Sequence, residues 1–336
     1  MTTATRRYSG LDVQAVEASA REHFAELASM REALELRIDQ LLGGAERADL
    51  LGAAMRASAL SAGKRMRPLL LMLVARDLGC SSKALIDVAC AVEMVHAASL
   101  VLDDMPCMDD ASLRRGKPAI HVQFGEDVAI LSSVALLSRA FGVLAQAQDI
   151  STATRARLVA ALAQTVGDQG LVRGQFEDLH GGARTPEQIA TTNELKTGLL
   201  LGVAVDMAAI VCQADERVAQ QLRAFALAAG QAFQIKDDLL DGPGNDSAVT
   251  GKDTGKDVGK ATLINTLGHE EAKRRLVFCL QEADRCLHAA VGSQGRTRGF
   301  VASLFAQGAR ARQTSPGSKP DLSLARGQRV AEIHAG

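Results

Sequence analysis

Two clusters of carboxylates offer chemistry in this sequence. In LVLDDMPCMDDASLRRGKPAIH, Asp103 and Asp104 close a strongly apolar run, and Asp109 and Asp110 follow after Pro106, which interrupts a helix. Carboxylates massed at the end of an apolar face repel one another unless cations neutralise them. Such an all-oxygen donor set suits Mg²⁺, which keeps several waters and is completed by substrate phosphates. Arg114, Arg115 and Lys117 follow directly and offer positive charge and forked donors for phosphate oxygens. The second cluster is FQIKDDLLDG. Asp237 and Asp241 stand one turn apart on one helix face, with Gln234 and Gly230 on the same side. Either cluster alone reads as readily as a solvated acidic surface. Two of them, each ending a long apolar helix, point to groups that face each other across a gap fit for a diphosphate and several Mg²⁺ ions, if the two helices pack side by side.

Basic residues form further groups. In SAGKRMRP, Lys64, Arg65 and Arg67 follow a glycine and open the next helix. Cations at a helix N-terminus oppose the dipole, so a phosphate is a better reason for them than helix stability. Lys196 and Thr197 open an apolar run in NELKTGLLLG. Lys252, Lys256 and Lys260 punctuate a Gly-rich loop over 242–260, which is either a lid over bound diphosphate or a solvated linker. GQFEDL adds Gln175, Glu177 and Asp178 as support behind the site.

The elements that must position these groups read as helices. Leu85, Val88, Ala89, Val92, Val95, Ser99 and Leu102 recur at steps of three and four, with Ser81 or Ser82 as N-cap. A second pattern runs from Val218 through Leu222, Phe225, Ala229 and Phe233 to Leu240. Further helices are expected over roughly 11–41, 46–60, 66–78, 126–148, 151–168, 186–212, 261–292 and 297–308. The chain has no Trp and only 3% aromatic residues, so its core is aliphatic and Ala-rich, which favours packed helices over sheets. The expectation is one all-α domain over 1–308 and a disordered tail over 309–336.

Composition also excludes. A net charge of −1 implies no global attraction to nucleic acid or an anionic membrane. Six scattered Cys with no C-x-x-C pair argue against a disulfide framework or a zinc site and fit a reducing cytoplasm. The run Leu199 to Cys212 is broken by Asp206 and too short to cross a bilayer, so no membrane span is expected.

With G-K-R-x-R-P, E-x-x-H, D-D-x₄-D followed by R-R-G-K-P, G-Q-x-x-D, K-T and F-Q-x-x-D-D-x-x-D in this order, the chain resembles the trans-isoprenyl diphosphate synthases from about Gly63 to Ile264. It is most similar to the bacterial geranylgeranyl diphosphate synthases of carotenoid pathways. The resemblance implies an all-α bundle around a deep apolar cavity, a homodimer, and three Mg²⁺ ions with the bound diphosphate. It implies that Asp103, Asp109, Asp237 and Asp241 hold Mg²⁺, supported by Asp104 and Asp238. Arg114, Lys196, Gln234, Lys252 and Lys260 would contact the allylic diphosphate, and Thr197 would face the allylic cation. Lys64, Arg67, His96 and Arg115 would bind isopentenyl diphosphate.

The residues below the first cluster bear on product length. Ser99 lies one turn below Asp103 and His96 nearly two, each turn of ~5.4 Å being of the order of one isoprene unit. Small side chains at Ala98 and Ser99 would leave a groove open where an aromatic would close it near fifteen carbons. The expected reaction therefore joins isopentenyl diphosphate to an allylic diphosphate, farnesyl diphosphate last, to give a C20 product. A farnesyl diphosphate synthase shares nearly every motif. A class I terpene cyclase needs no second diphosphate site, and a non-catalytic subunit of a heteromeric synthase would have lost one acidic motif.

Overall fold

Helical spacing of aliphatic residues is realised as a bundle of long helices. A computed structural model describes residues 11–44, 49–180, 185, 188, 191–192, 194–240, 268–293 and 295–310, with 11–21, 196–197, 240 and 306–310 as backbone only. In chain order the helices are α1 (Leu11–Leu41), α2 (Leu50–Ala59), α3 (Met66–Asp77), α4 (Ala84–Asp103), α5 (Ile120–Phe124), α6 (Glu126–Gln146), α7 (Thr152–Val166), α8 (Leu171–His180), α9 (Leu199–Val211), α10 (Glu216–Leu240), α11 (His269–Val291) and α12 (Arg296–Arg310). A π-helical turn, Glu194–Gly198, leads into α9. Among the described residues the only strands are β1 (Leu113–Arg114) and β2 (Lys117–Pro118), an antiparallel pair. Contacts divide the chain after Arg298, within α12, and the elements discussed below belong to the unit ending there. The expected boundary at 308 falls inside α12, and the tail from 311 lies outside the described residues.

Helix α9 is apolar on every side but that of Asp206, which pairs with Arg223 of α10, and this suits a central position. Leu200, Leu201, Val203, Ala204, Val205, Met207 and Ala208 are all buried, and the helix packs against α3, α4, α7 and α10. Around this centre α4 packs on α6, α3 on α4, and α10 on α11. Among the described residues the two helices that carry the acidic clusters, α4 and α10, make no substantial direct contact; α9 packs against both, and α3 packs on α4 and α9. The side-by-side packing on which the sequence reading made the meeting of the clusters conditional is not found among the described residues. The helices that carry the clusters are joined through α9.

Local chemistry sets the helix starts. Asp49 caps α2 by accepting from Gly52 N, and Ser151 Oγ accepts from Thr154 N at 3.1 Å to cap α7. Ser82 Oγ accepts from Ala84 N at 3.2 Å, so the expected serine serves the start of α4 although Lys83 is the capping residue. The hairpin in RRGKP and helices α5 and α8 carry no long apolar period, and periodicity did not announce them.

By length and composition α4 and α6 are also apolar enough to cross a membrane, with mean hydropathies of 1.8 and 1.9. For α4 the reason is internal: 61% of the window is buried in the bundle. Only 39% of the α6 window is buried, because one of its faces lies open.

Candidate active site

The C-terminus of α4 shows how the first acidic cluster is assembled. The last carbonyls of a helix lack partners within it. Here the loop after Pro106 folds back and supplies them. Asp109 N donates to Asp103 O at 2.9 Å, Ala111 N to Asp104 O at 3.2 Å, and Asp110 N to Met105 O at 3.0 Å. The first of these bonds sets residue 109 beside residue 103, although six positions separate them. Asp110 takes a left-handed backbone (φ 48°) to complete the turn.

The first acidic cluster sits at a helix C-terminus, where the helix dipole already carries negative charge. Carboxylates there destabilise the helix unless cations answer them. For Asp104, which is buried, the answer is Arg114 on β1: its Nε donates to Oδ1 at 2.9 Å and Oδ2 at 3.0 Å, and its Nη2 donates to Oδ1 as well. Against the burial that would lower it, this bond and the charges of Asp104, Asp103 and Asp109 raise the Arg114 guanidinium pKa. On α10, Gln234 Nε2 donates to Asp238 Oδ1 at 2.8 Å.

The basic groups gather between these ends. Arg67, in the first turn of α3, has Nη1 3.5 Å from His96 Nε2 on α4. Since a guanidinium only donates, the ring accepts at Nε2 and carries its proton on Nδ1. Burial, then the charges of Arg67, Arg115, Arg65 and Arg114, hold His96 well below its ordinary pKa, so the ring is neutral. Burial also lowers Arg67, opposed by Glu93 and by Asp237 on α10. Arg67 thus feels carboxylates of both helices. Lys236 is lowered by burial and by Lys64, which places the exposed Lys64 ammonium in the field of the same end of α10.

Arg115 is held across the α2–α3 loop. Its Nη1 donates to Ala62 O at 2.7 Å and to Ser61 Oγ at 3.2 Å. A Cβ on Gly63 would stand 2.5 Å from that nitrogen, so the glycine is there to let the guanidinium lie against the backbone. On its outer side, α2, α4, the hairpin and α5 enclose a cavity of about 170 Å³.

A second close approach sets α10. A Cβ on Gly230 would stand 3.2 Å from Gly198 Cα in the π-helical turn, so two glycines bring the segment of Lys196 and Thr197 against the helix of Gln234 and Asp237. The side chains of Lys196 and Thr197, and Asp241, Lys252 and Lys260, lie outside the described residues.

Of the two residues expected to shape the groove, Ser99 is half-buried and its Oγ donates to His96 O at 2.9 Å. Ala98 is fully buried, and its carbonyl accepts from Ser133 Oγ of α6 at 2.9 Å. Its side chain lies in the packed interior, where α6 comes close. Gln175 on α8 reaches the first acidic loop through Met108 Sδ, at 3.9 Å. The sequence reading gave no role to Glu93 and Glu35, which flank Arg65. The carboxylate of E-x-x-H was the available signal for the first; nothing marked Glu35.

Among the described residues no three Asp, Glu, His or Cys side chains converge on one metal position. The available donors are carboxylate oxygens, which fit Mg²⁺ provided that waters and phosphate oxygens complete its shell.

Fold and site together define a class: helical-bundle proteins with acidic helix ends opposed by a guanidinium cluster. Residues 48–289 match the polyprenyl synthetase family, and the chain belongs to it. It is 50% identical to a geranylgeranyl diphosphate synthase of Pantoea ananas, over 81% of this chain and 90% of that protein. It is 47% identical to that of Pseudescherichia vulneris, over 83% and 91%. Among solved structures it is similar to a geranyltransferase of Helicobacter pylori complexed with magnesium and isoprenyl diphosphate, with a TM-score of 0.75 and 27% identity, covering 86% of this chain and 98% of that one.

Proposed function

We propose that the chain is a geranylgeranyl diphosphate synthase, which condenses isopentenyl diphosphate with an allylic diphosphate, farnesyl diphosphate last. The observation that carries this is the placing of Arg67, against His96 of α4 and in the field of Asp237 of α10. Two anionic groups meet one cationic cluster, which suits two diphosphates and their metals.

In this reading Asp103, Asp109, Asp237 and Asp241 hold Mg²⁺, supported by Asp104 and Asp238. The ions, three with the bound diphosphate, supply positive charge that stabilises the departing diphosphate. Arg114, Lys196, Gln234, Lys252 and Lys260 bind the allylic diphosphate, and Thr197 faces the cation left as the C–O bond breaks. Lys64, Arg67, His96 and Arg115 hold isopentenyl diphosphate so that its double bond meets that cation. The neutral His96 donates from Nδ1 or, once a second anion offsets the surrounding guanidiniums, takes up a proton. A proton lost to the departing diphosphate completes the product. Aliphatic walls keep water from the cation.

The protein works as a cytoplasmic homodimer. All six Cys are free thiols, as a reducing compartment requires. Val122 on α5 and Ile130, Leu131 and Val134 on α6 are 45–57% exposed and form one apolar stripe, which a second copy would cover.

The test is to incubate the purified protein with labelled isopentenyl diphosphate, each allylic starter and Mg²⁺, and to resolve the chain lengths. A C20 diphosphate is expected, shortened towards C15 in Ser99→Phe; in Ala98→Phe the ring must also displace α6. A C15 product from the unmodified chain would make it a farnesyl diphosphate synthase. No elongation from any starter would overturn the assignment.

A further inference from the structure

One carboxylate at the heart of the cationic cluster is not used by the reaction. Glu93 lies on α4 nearly one turn before His96, is 3% exposed, and stands in the buried run Val88–Val95. An unpaired carboxylate there would be costly. Its Oε1 accepts from Arg65 Nη1 at 2.7 Å. Arg65 is itself 3% exposed and donates from Nε to Glu35 Oε1 of α1 at 3.0 Å. Its backbone is left-handed (φ 48°), a strained choice for a residue with a Cβ.

The position of this strained, inward-anchored residue matters: it stands between Lys64 and Arg67. With the Arg65 side chain fixed in the core, the turn leaves Lys64 at the surface and starts α3 so that Arg67 meets His96. We infer that Glu93 is a positioning residue for the isopentenyl diphosphate subsite, acting through Arg65 to hold Lys64 and Arg67 in register with His96 and Arg115. The inference rests on the reading of those four residues as that subsite.

Electrostatics point the same way. Arg67 and Arg115 are both lowered by burial, and for both Glu93 is the foremost opposing charge. Stability alone gives little reason for the pair, since apolar residues of similar volume commonly replace a buried ion pair at no loss. What the pair adds is direction.

The experiment measures isopentenyl diphosphate binding by calorimetry, and KM for both substrates, in the wild type, Glu93→Gln and the double variant Arg65→Met with Glu93→Met. Glu93→Gln should weaken isopentenyl diphosphate about tenfold or more, the scale of a small misplacement of binding groups, and leave the allylic KM within about twofold. The double variant removes both charges together and should stay folded even where the single one does not. It should show the same selective loss. Unchanged binding in the variants, equal weakening of both substrates, or a double variant restored to wild-type selectivity would overturn the inference. A wild type that binds no isopentenyl diphosphate would instead overturn the underlying reading of the subsite.

Discussion

His96 shows how a single side chain takes its state from its neighbours. Burial and four guanidiniums depress its pKa, while in the unfolded chain it titrates near 6.5. Between the folded value and 6.5 the unfolded state binds the extra proton. The contribution to stability is therefore complete above pH 6.5 and is lost as pH falls towards the folded pKa. The slope is at most about 1.4 kcal/mol per pH unit. Urea midpoints measured from pH 7.5 to 5 should fall more steeply in the wild type than in His96→Gln, whose side chain does not titrate and can still accept from Arg67. Equal slopes would mean that carboxylates alone set the acid limb. The sequence told which residues are charged here, but not that Arg114 would be engaged by Asp104 or that Arg65 would turn inward. Those outcomes depend on which side of a turn faces the core, which charge patterns do not encode.

At the scale of elements, the long apolar helices were plain in the sequence because each has a buried face of regular period. The loop that sets Asp109 beside Asp103 was half visible: Pro106 marked the break, but the backbone bonds that close it have no sequence signature. The opposition of α4 and α10 was made conditional on direct packing, and comes instead through α9, which packs on both. The crossing of α10 with the π-helical turn depends on Gly230 and Gly198. Gly230→Val gains helix preference over glycine but forces two backbones apart, an overpacking cost of typically 1–3 kcal/mol. A lower thermal midpoint is expected, with kcat affected more than the KM for isopentenyl diphosphate, because Lys64, Arg67, His96 and Arg115, the subsite proposed for it, all lie off α10 and the π-helical turn. A midpoint equal to the wild type would show that the turn yields without cost.

For the whole molecule, the open face of α6 is the feature that one chain does not explain. Its other face packs on α4, so it is a bundle helix with one side still to be covered. Leu131→Glu with Val134→Glu should convert a dimer to a monomer in light scattering without unfolding it, because both side chains are already more than half exposed. A dimer that persists would place the interface elsewhere. Three non-glycine residues around the site, Arg65, Asp110 and Arg115, hold left-handed backbones. A polypeptide under selection for heat resistance alone would be drawn to exchange them for glycine or asparagine, relieving strain of roughly 1–2 kcal/mol at each. Such a chain would gain robustness while Arg65 let go of Glu93 and Arg115 let go of the α2–α3 loop, so the strain at these two positions answers to what their side chains hold rather than to how firmly the chain must fold.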